Sequence, residues 1–276
     1  MNMLYPIGMK SFKETTVSRN LLRLLEKGSA SYKLAELLLA DEEIEALQEY
    51  ANTVSIKRMN YNDHGPVHMR QVACNGVKML SLLRDANVAT SLVLENSGTY
   101  EDSLCALLLA AFVHDLGMSV SRTEHELTGL IIARPIMDRI LKALFPDELT
   151  RRIAIMSVAT EGVMGHMASR KVYSVEAGLL LVADGCDMEK GRARIPMSIT
   201  TAPKTGDIHK YSANSIERVT IEKGEEHPIL IDVEMSSDVG FFQIEEVLLP
   251  KIMMSSAKEH VEVYAGVIGQ PKKRYL

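Results

Sequence analysis

The stretch Leu107-Leu108-Leu109-Ala110-Ala111-Phe112-Val113 runs directly into His114-Asp115 and closes on Leu116-Gly117. A segment with no polar face belongs inside a core, so the histidine and the carboxylate that follow are carried to the edge of that core. An unpaired carboxylate in such a place is costly, and a partner must offset the cost. A divalent metal is the simplest partner, because imidazole and carboxylate both ligate it.

Further ligands of the right kind lie on either side. Upstream, Asn62-Asp63-His64-Gly65-Pro66-Val67-His68 places Pro66 where a first helical turn accepts it, with His68 one turn into that helix. Downstream, the apolar run Leu179-Leu180-Leu181-Val182-Ala183 ends on Asp184-Gly185. The order His68, then His114-Asp115, then Asp184, each on its own predicted helix, resembles the HD-domain metal-dependent phosphohydrolase superfamily over roughly residues 60–195. The segment from Ala183 to Pro196 is similar to the archaeal-type subgroup of that superfamily.

The resemblance implies a mainly α fold, an HD-domain helical bundle, with one divalent transition ion held by His68, His114, Asp115 and Asp184. Two nitrogen and two oxygen donors suit Mn, Fe, Co, Ni or Zn better than Mg, which prefers oxygen alone. Dinuclear branches carry a further histidine pair before the last aspartate. Here that stretch reads Ser157 to Gly162 with only His166 beyond, so one ion is expected and a second is doubtful. Asp115, His64 and His125 are the expected catalytic groups, the two histidines contacting phosphate or a bridging water. Arg122, Lys190, Arg192 and Arg194 are the expected phosphate-binding cations, with the start of the helix near Glu124 adding backbone N–H groups. Asp187 and Glu189 read as acid–base groups or as salt partners of these cations, and Glu161 as a base if it turns toward the metal.

Composition narrows the classes. The 276 residues carry 31 basic and 36 acidic side chains, a net charge of -5, which gives no global footprint for a long nucleic acid. Cys74, Cys105 and Cys186 form no paired spacing, so a disulfide framework or a thiolate zinc site is not expected. Residues Met1 to Lys10 lack the features of a signal peptide, and no apolar run approaches a membrane span. A cytoplasmic protein is expected. No phosphate-binding P-loop, dinucleotide fingerprint or serine-nucleophile elbow occurs, and the tripeptide Gly-Tyr-Pro is absent.

Three regions are expected: N-terminal helices over 1–59 packed on the core, a metal-binding helical core over 60–200, and a small C-terminal α+β element over 212–276. The capping-box pattern at Thr123 to Glu126 predicts a helix start. Helices are predicted over Ser103–Gly117, Asp147–Thr160 and Ser174–Glu189. Alternation over Ile216–Glu222 and Ile229–Met235 predicts an antiparallel hairpin. A short helix over Phe241–Lys251 and a third strand at Val261–Tyr264 follow.

The expected activity is metal-dependent hydrolysis of a small phosphorylated, nucleotide-like monoester or diester. The alternative is a metal-stabilised nucleotide sensor without turnover, with the hairpin as a homo-oligomer or partner surface.

Overall fold

In the computed structural model, which describes residues 10–59, 61–190 and 208–276, the chain is mainly α with a small four-stranded sheet at its C-terminal end. Helices α1 (Phe12–Leu24), α2 (Ala30–Ala40) and α3 (Glu42–Lys57) come first. Each starts on a side-chain cap, from Ser11, Ser29 and Asp41 respectively. Helix α4 (Pro66–Asp85) begins with the proline at its first turn, and a short α5 (Ser91–Leu94) follows.

Helix α6 (Tyr100–Val113) is the centre of the bundle. Every residue from Asp102 to Val113 is buried, and α2, α4, α8 (Leu149–Gly165) and α9 (Val175–Cys186) pack around it. Burying side chains such as Leu107, Leu108 and Phe112 contributes roughly 1.5–3 kcal/mol each. The stretch Tyr100–Ser119 is long and apolar enough to cross a membrane, yet it lies wholly within the fold. Its start is a true capping box, Thr99 with Asp102.

Several expected boundaries move. The helix predicted to reach Gly117 stops at Val113, with His114 as its cap, and Leu116–Ser119 forms a 3-10 turn. The capping box predicted at Thr123 does not form. Helix α7 (His125–Leu144) starts instead from Glu124 in the left-handed region, φ 53°, without a side-chain cap. Helix α8 continues to Gly165, and α9 ends at Cys186.

The C-terminal element opens with α10 (Ile208–Ser215). Strands β1 (Ile216–Lys223) and β2 (Ile229–Met235) pair antiparallel, as the alternation predicts. Strand β3 (Val261–Val267) returns parallel to β2, and β4 (Lys273–Arg274) closes the order β1-β2-β3-β4. The β2–β3 crossover is helical from Phe241 to Met254, made of α11 (Phe241–Gln243), a wide π turn (Ile244–Leu248) and α12 (Leu249–Met254). The inward residues Ile229, Ile231, Val233 and Met235 join the same core as the bundle.

Candidate metal centre

Five elements end at one place. Helix α4 brings His68 in its first turn, and the C-terminal end of α6 brings His114 and Asp115. His125 is the first residue of α7, His166 caps the end of α8, and Asp184 lies in the last turn of α9. All six side chains are buried. Gly117 permits the convergence. A Cβ there would stand 1.9 Å from the carbonyl oxygen of His125, so only glycine lets the 3-10 turn lie against the start of α7.

The donor atoms fall into two groups that share Asp115. In the first, His68 Nε2 lies 3.2 Å from His114 Nε2 and 3.3 Å from Asp115 Oδ2. It is also 3.4 Å from Asp184 Oδ1, and His114 Nε2 is 3.4 Å from Asp115 Oδ2. In the second, His125 Nε2 and His166 Nε2 are 2.9 Å apart. They stand 3.2 and 3.3 Å from the other carboxylate oxygen, Asp115 Oδ1. Ligand bonds of about 2.1 Å at right or tetrahedral angles separate neighbouring donors by about 3.0–3.4 Å, the spacing found here.

Hydrogen bookkeeping fixes which ring nitrogens face the centre with their lone pairs. His114 Nδ1 lies 3.0 Å from the carbonyl of Ala111, His125 Nδ1 2.9 Å from that of Arg122, and His166 Nδ1 2.7 Å from that of Val163. His68 Nδ1 lies 2.6 Å from Asp187 Oδ2. Carbonyl and carboxylate oxygens only accept, so each Nδ1 carries the hydrogen and donates it. In the neutral rings every Nε2 therefore presents a lone pair. Lone pairs facing one another at 3.2 and 2.9 Å, with Asp115 between them, repel unless a metal ion or an added proton sits among them. Committing the second ring nitrogen to an outer acceptor is the arrangement that supports metal-ligating histidines. These buried His/Asp groups can hold a metal.

Both carboxylates are favoured as anions by positive charge gathered around them. Burial pushes the Asp115 carboxyl up, but His114 and His64 more than offset it and hold the group well below the usual carboxylate range. Asp184 is likewise held well below that range, burial being outweighed by Lys251 and then His68. Burial pushes the His166 imidazole down, which favours its neutral, ligating form.

His68, His114, Asp115 and Asp184, expected as ligands, are brought together. His125 sits among the donors, its Nε2 3.2 Å from Asp115 Oδ1. With His166 it forms the second group, which the expectation of a single ion did not include. His64 is half-buried, its ring 5.9 Å from that of His68 and its Nδ1 2.6 Å from the carbonyl of Asn62. Arg122 is partly buried, with its guanidinium 5.5 Å from the Tyr61 ring. Lys190, expected near the mouth, is exposed and paired with Glu217 on β1, because the chain leaves α9 at Cys186 and its backbone N–H joins Ile216. Arg192 and Arg194 lie outside the described residues.

Asp187, expected as an acid–base group or a salt partner of those cations, lies against His68 Nδ1, and Glu189 accepts from the N–H of Val219. Glu161 accepts from the N–H groups of Tyr173 and Ser174 and is spent on that turn. Lys251 of α12 is the unforeseen member of the centre: its Nζ donates to Asp184 Oδ2 and, at 2.8 Å, to the carbonyl of His166. The cysteines are buried and free.

An uncharacterized protein of Methanocaldococcus jannaschii is 40% identical to this chain over 235 residues, 83% of this chain and 86% of its own length. No family model and no solved structure matches the chain.

Proposed function

The chain belongs to the same family as that Methanocaldococcus jannaschii protein, and from the donor geometry we propose that it is a divalent-metal-dependent phosphohydrolase of the HD type. The observation that carries this reading is the placement of the two Asp115 oxygens, each between a pair of imidazole Nε2 atoms whose Nδ1 hydrogens are already committed. The order of the first set along the chain, His68, His114-Asp115, Asp184, supports the HD assignment.

A bound divalent ion supplies charge neutralisation at a phosphoryl oxygen and a water acidic enough to ionise near neutral pH. The chain's own residues do the rest. Asp115 holds the two donor groups in one arrangement, and Asp187 fixes the ring of His68. In this reading His64, half-buried beside His68, would take or give a proton or hydrogen-bond a phosphate oxygen through Nε2, its Nδ1 lying against the Asn62 carbonyl and the Ser55 hydroxyl. Arg122 brings a guanidinium, suited to gripping phosphate, three residues before His125. Its neighbour Tyr61 offers a partly exposed ring on which a base can stack. These features favour a small, nucleotide-like monoester or diester.

The test is a panel of phosphomonoesters, nucleotides and phosphodiesters. Chelator-stripped protein receives Mn, Fe, Co, Ni, Zn or Mg singly, for wild type beside Asp115→Asn. Metal-dependent turnover that vanishes in Asp115→Asn is the expected result. Metal bound by the wild type with no turnover of any substrate would overturn the enzyme reading and favour a nucleotide sensor.

A further inference from the structure

Lys251 is a buried cation whose two acceptors belong to different halves of the centre. Asp184 serves the group around His68 and His114, while the carbonyl of His166 ends the helix that serves the other group. That carbonyl is among the last of α8, where helix geometry leaves acceptors unpaired and favours a positive charge.

The residue comes from the C-terminal element, and the sequence explains how it arrives. Pro250 lacks an N–H, and its ring would collide with the carbonyl four residues back in a regular helix. The chain widens into the π turn Ile244–Leu248 just before it, which changes the direction in which later side chains project. Gly185 leaves room on the facing helix. A Cβ there would stand 3.2 Å from Lys251 Cδ and 3.1 Å from Leu248 Cδ1.

We infer that Lys251 is a positioning residue of the metal centre: by occupying Asp184 Oδ2 it limits Asp184 to a single ligating oxygen, Oδ1, and so preserves an open coordination position. The inference rests on the metal-centre reading above and not on any particular substrate. A carboxylate ligates through one oxygen or two. Here Oδ1 faces His68 Nε2 at 3.4 Å and His114 Nε2 at 4.0 Å, while Oδ2 is held by the ammonium. A catalytic centre needs a position for water or substrate, whereas a structural site is closed. Removing Lys251 frees Oδ2 to turn onto the ion and fill that position. A merely structural tie would behave in the opposite way, since its loss would loosen the centre and weaken metal binding.

The experiment uses the full chain loaded with Co(II), comparing wild type, Lys251→Met and Lys251→Arg. Lys272→Met, at an exposed lysine just before β4 that pairs with Asp232 and Glu234, serves as the charge control. Lys251→Met is expected to bind Co(II) at least as tightly as wild type, with weaker visible bands that mark a higher coordination number. On any phosphoester the wild type turns over, its kcat should fall about 10–100-fold with KM little changed. Lys251→Arg, which can still donate to both acceptors, should restore the wild-type spectrum. Weaker Co(II) binding by Lys251→Met together with a lower melting temperature would overturn the inference, as would a spectrum identical to wild type. The spectrum decides even if no substrate is turned over, so failure here is distinct from failure of the phosphohydrolase reading.

Discussion

His125 and His166 face each other through Nε2 atoms 2.9 Å apart, and each has committed its Nδ1 hydrogen to the carbonyl three residues before it. The same relation holds between His68 and His114 on the other side of Asp115, with Asp187 as one of the outer acceptors. Two facing pairs joined by one carboxylate make different losses separable. Where both groups are filled, His166→Ala should remove the second and leave the first, so metal per chain in elemental analysis should fall by about half. Asp115→Asn should remove both. Equal loss in the two variants would show that the groups are not independent sites.

Asp187 Oδ2 reaches the centre through His68 Nδ1 at 2.6 Å. Outer acceptors of this kind fix the ring and raise its basicity. Asp187→Ala should weaken metal binding by about 10–100-fold. Asp187→Asn, which still accepts the hydrogen bond but lacks the charge, should fall between that variant and wild type. Competition against a fluorescent chelator measures both. Wild-type affinity in Asp187→Ala would remove the orienting role.

How far the centre can be read from the chain follows from how each residue reaches it. His68, His114 and Asp184 announce themselves because each lies at the end of an apolar or proline-opened helix, a local pattern. His166 does not, because the helix that carries it runs past Thr160 to Gly165, and a boundary error there hides a cap residue. Asp187 is three residues from Asp184, which suggests a partner on the same helix, yet its partner His68 is 119 positions away. Lys251 lies 67 positions from Asp184 on a different element, so no spacing rule connects them. The hairpin of β1 and β2 is legible because alternation is local, whereas the parallel return of β3 depends on a helical crossover.

Gly117 is where the two halves of the centre are pressed together. A methyl group there meets the His125 carbonyl at 1.9 Å and the Gly129 nitrogen at 2.6 Å, both backbone atoms that cannot turn aside. Gly117→Ala should displace the start of α7, moving His125 before it disturbs His68 or His114. Overpacking of this kind typically costs about 1–3 kcal/mol of stability. The expected outcome is a lower melting temperature with metal lost first from the His125–His166 group. Crystallography of the metal-loaded variant with both groups fully occupied would refute it.

Acid should destabilise the metal-free protein, and His166 sets the upper edge of that window. Its buried imidazole has a pKa below the ordinary 6.5, burial being the main cause. As pH falls below about 6.5 the unfolded chain takes up a proton that the folded chain resists, so the unfolded state binds more protons and stability declines. Asp115 and Asp184, held well below 3.8, act with the same sign but only at more acidic pH. Urea midpoints of chelator-treated protein should therefore drop between pH 7 and pH 5, and His166→Asn should show a shallower drop. Metal should make the wild-type dependence steeper, because ligating imidazoles must be deprotonated. An identical slope in His166→Asn would mean that this ring does not contribute to acid sensitivity.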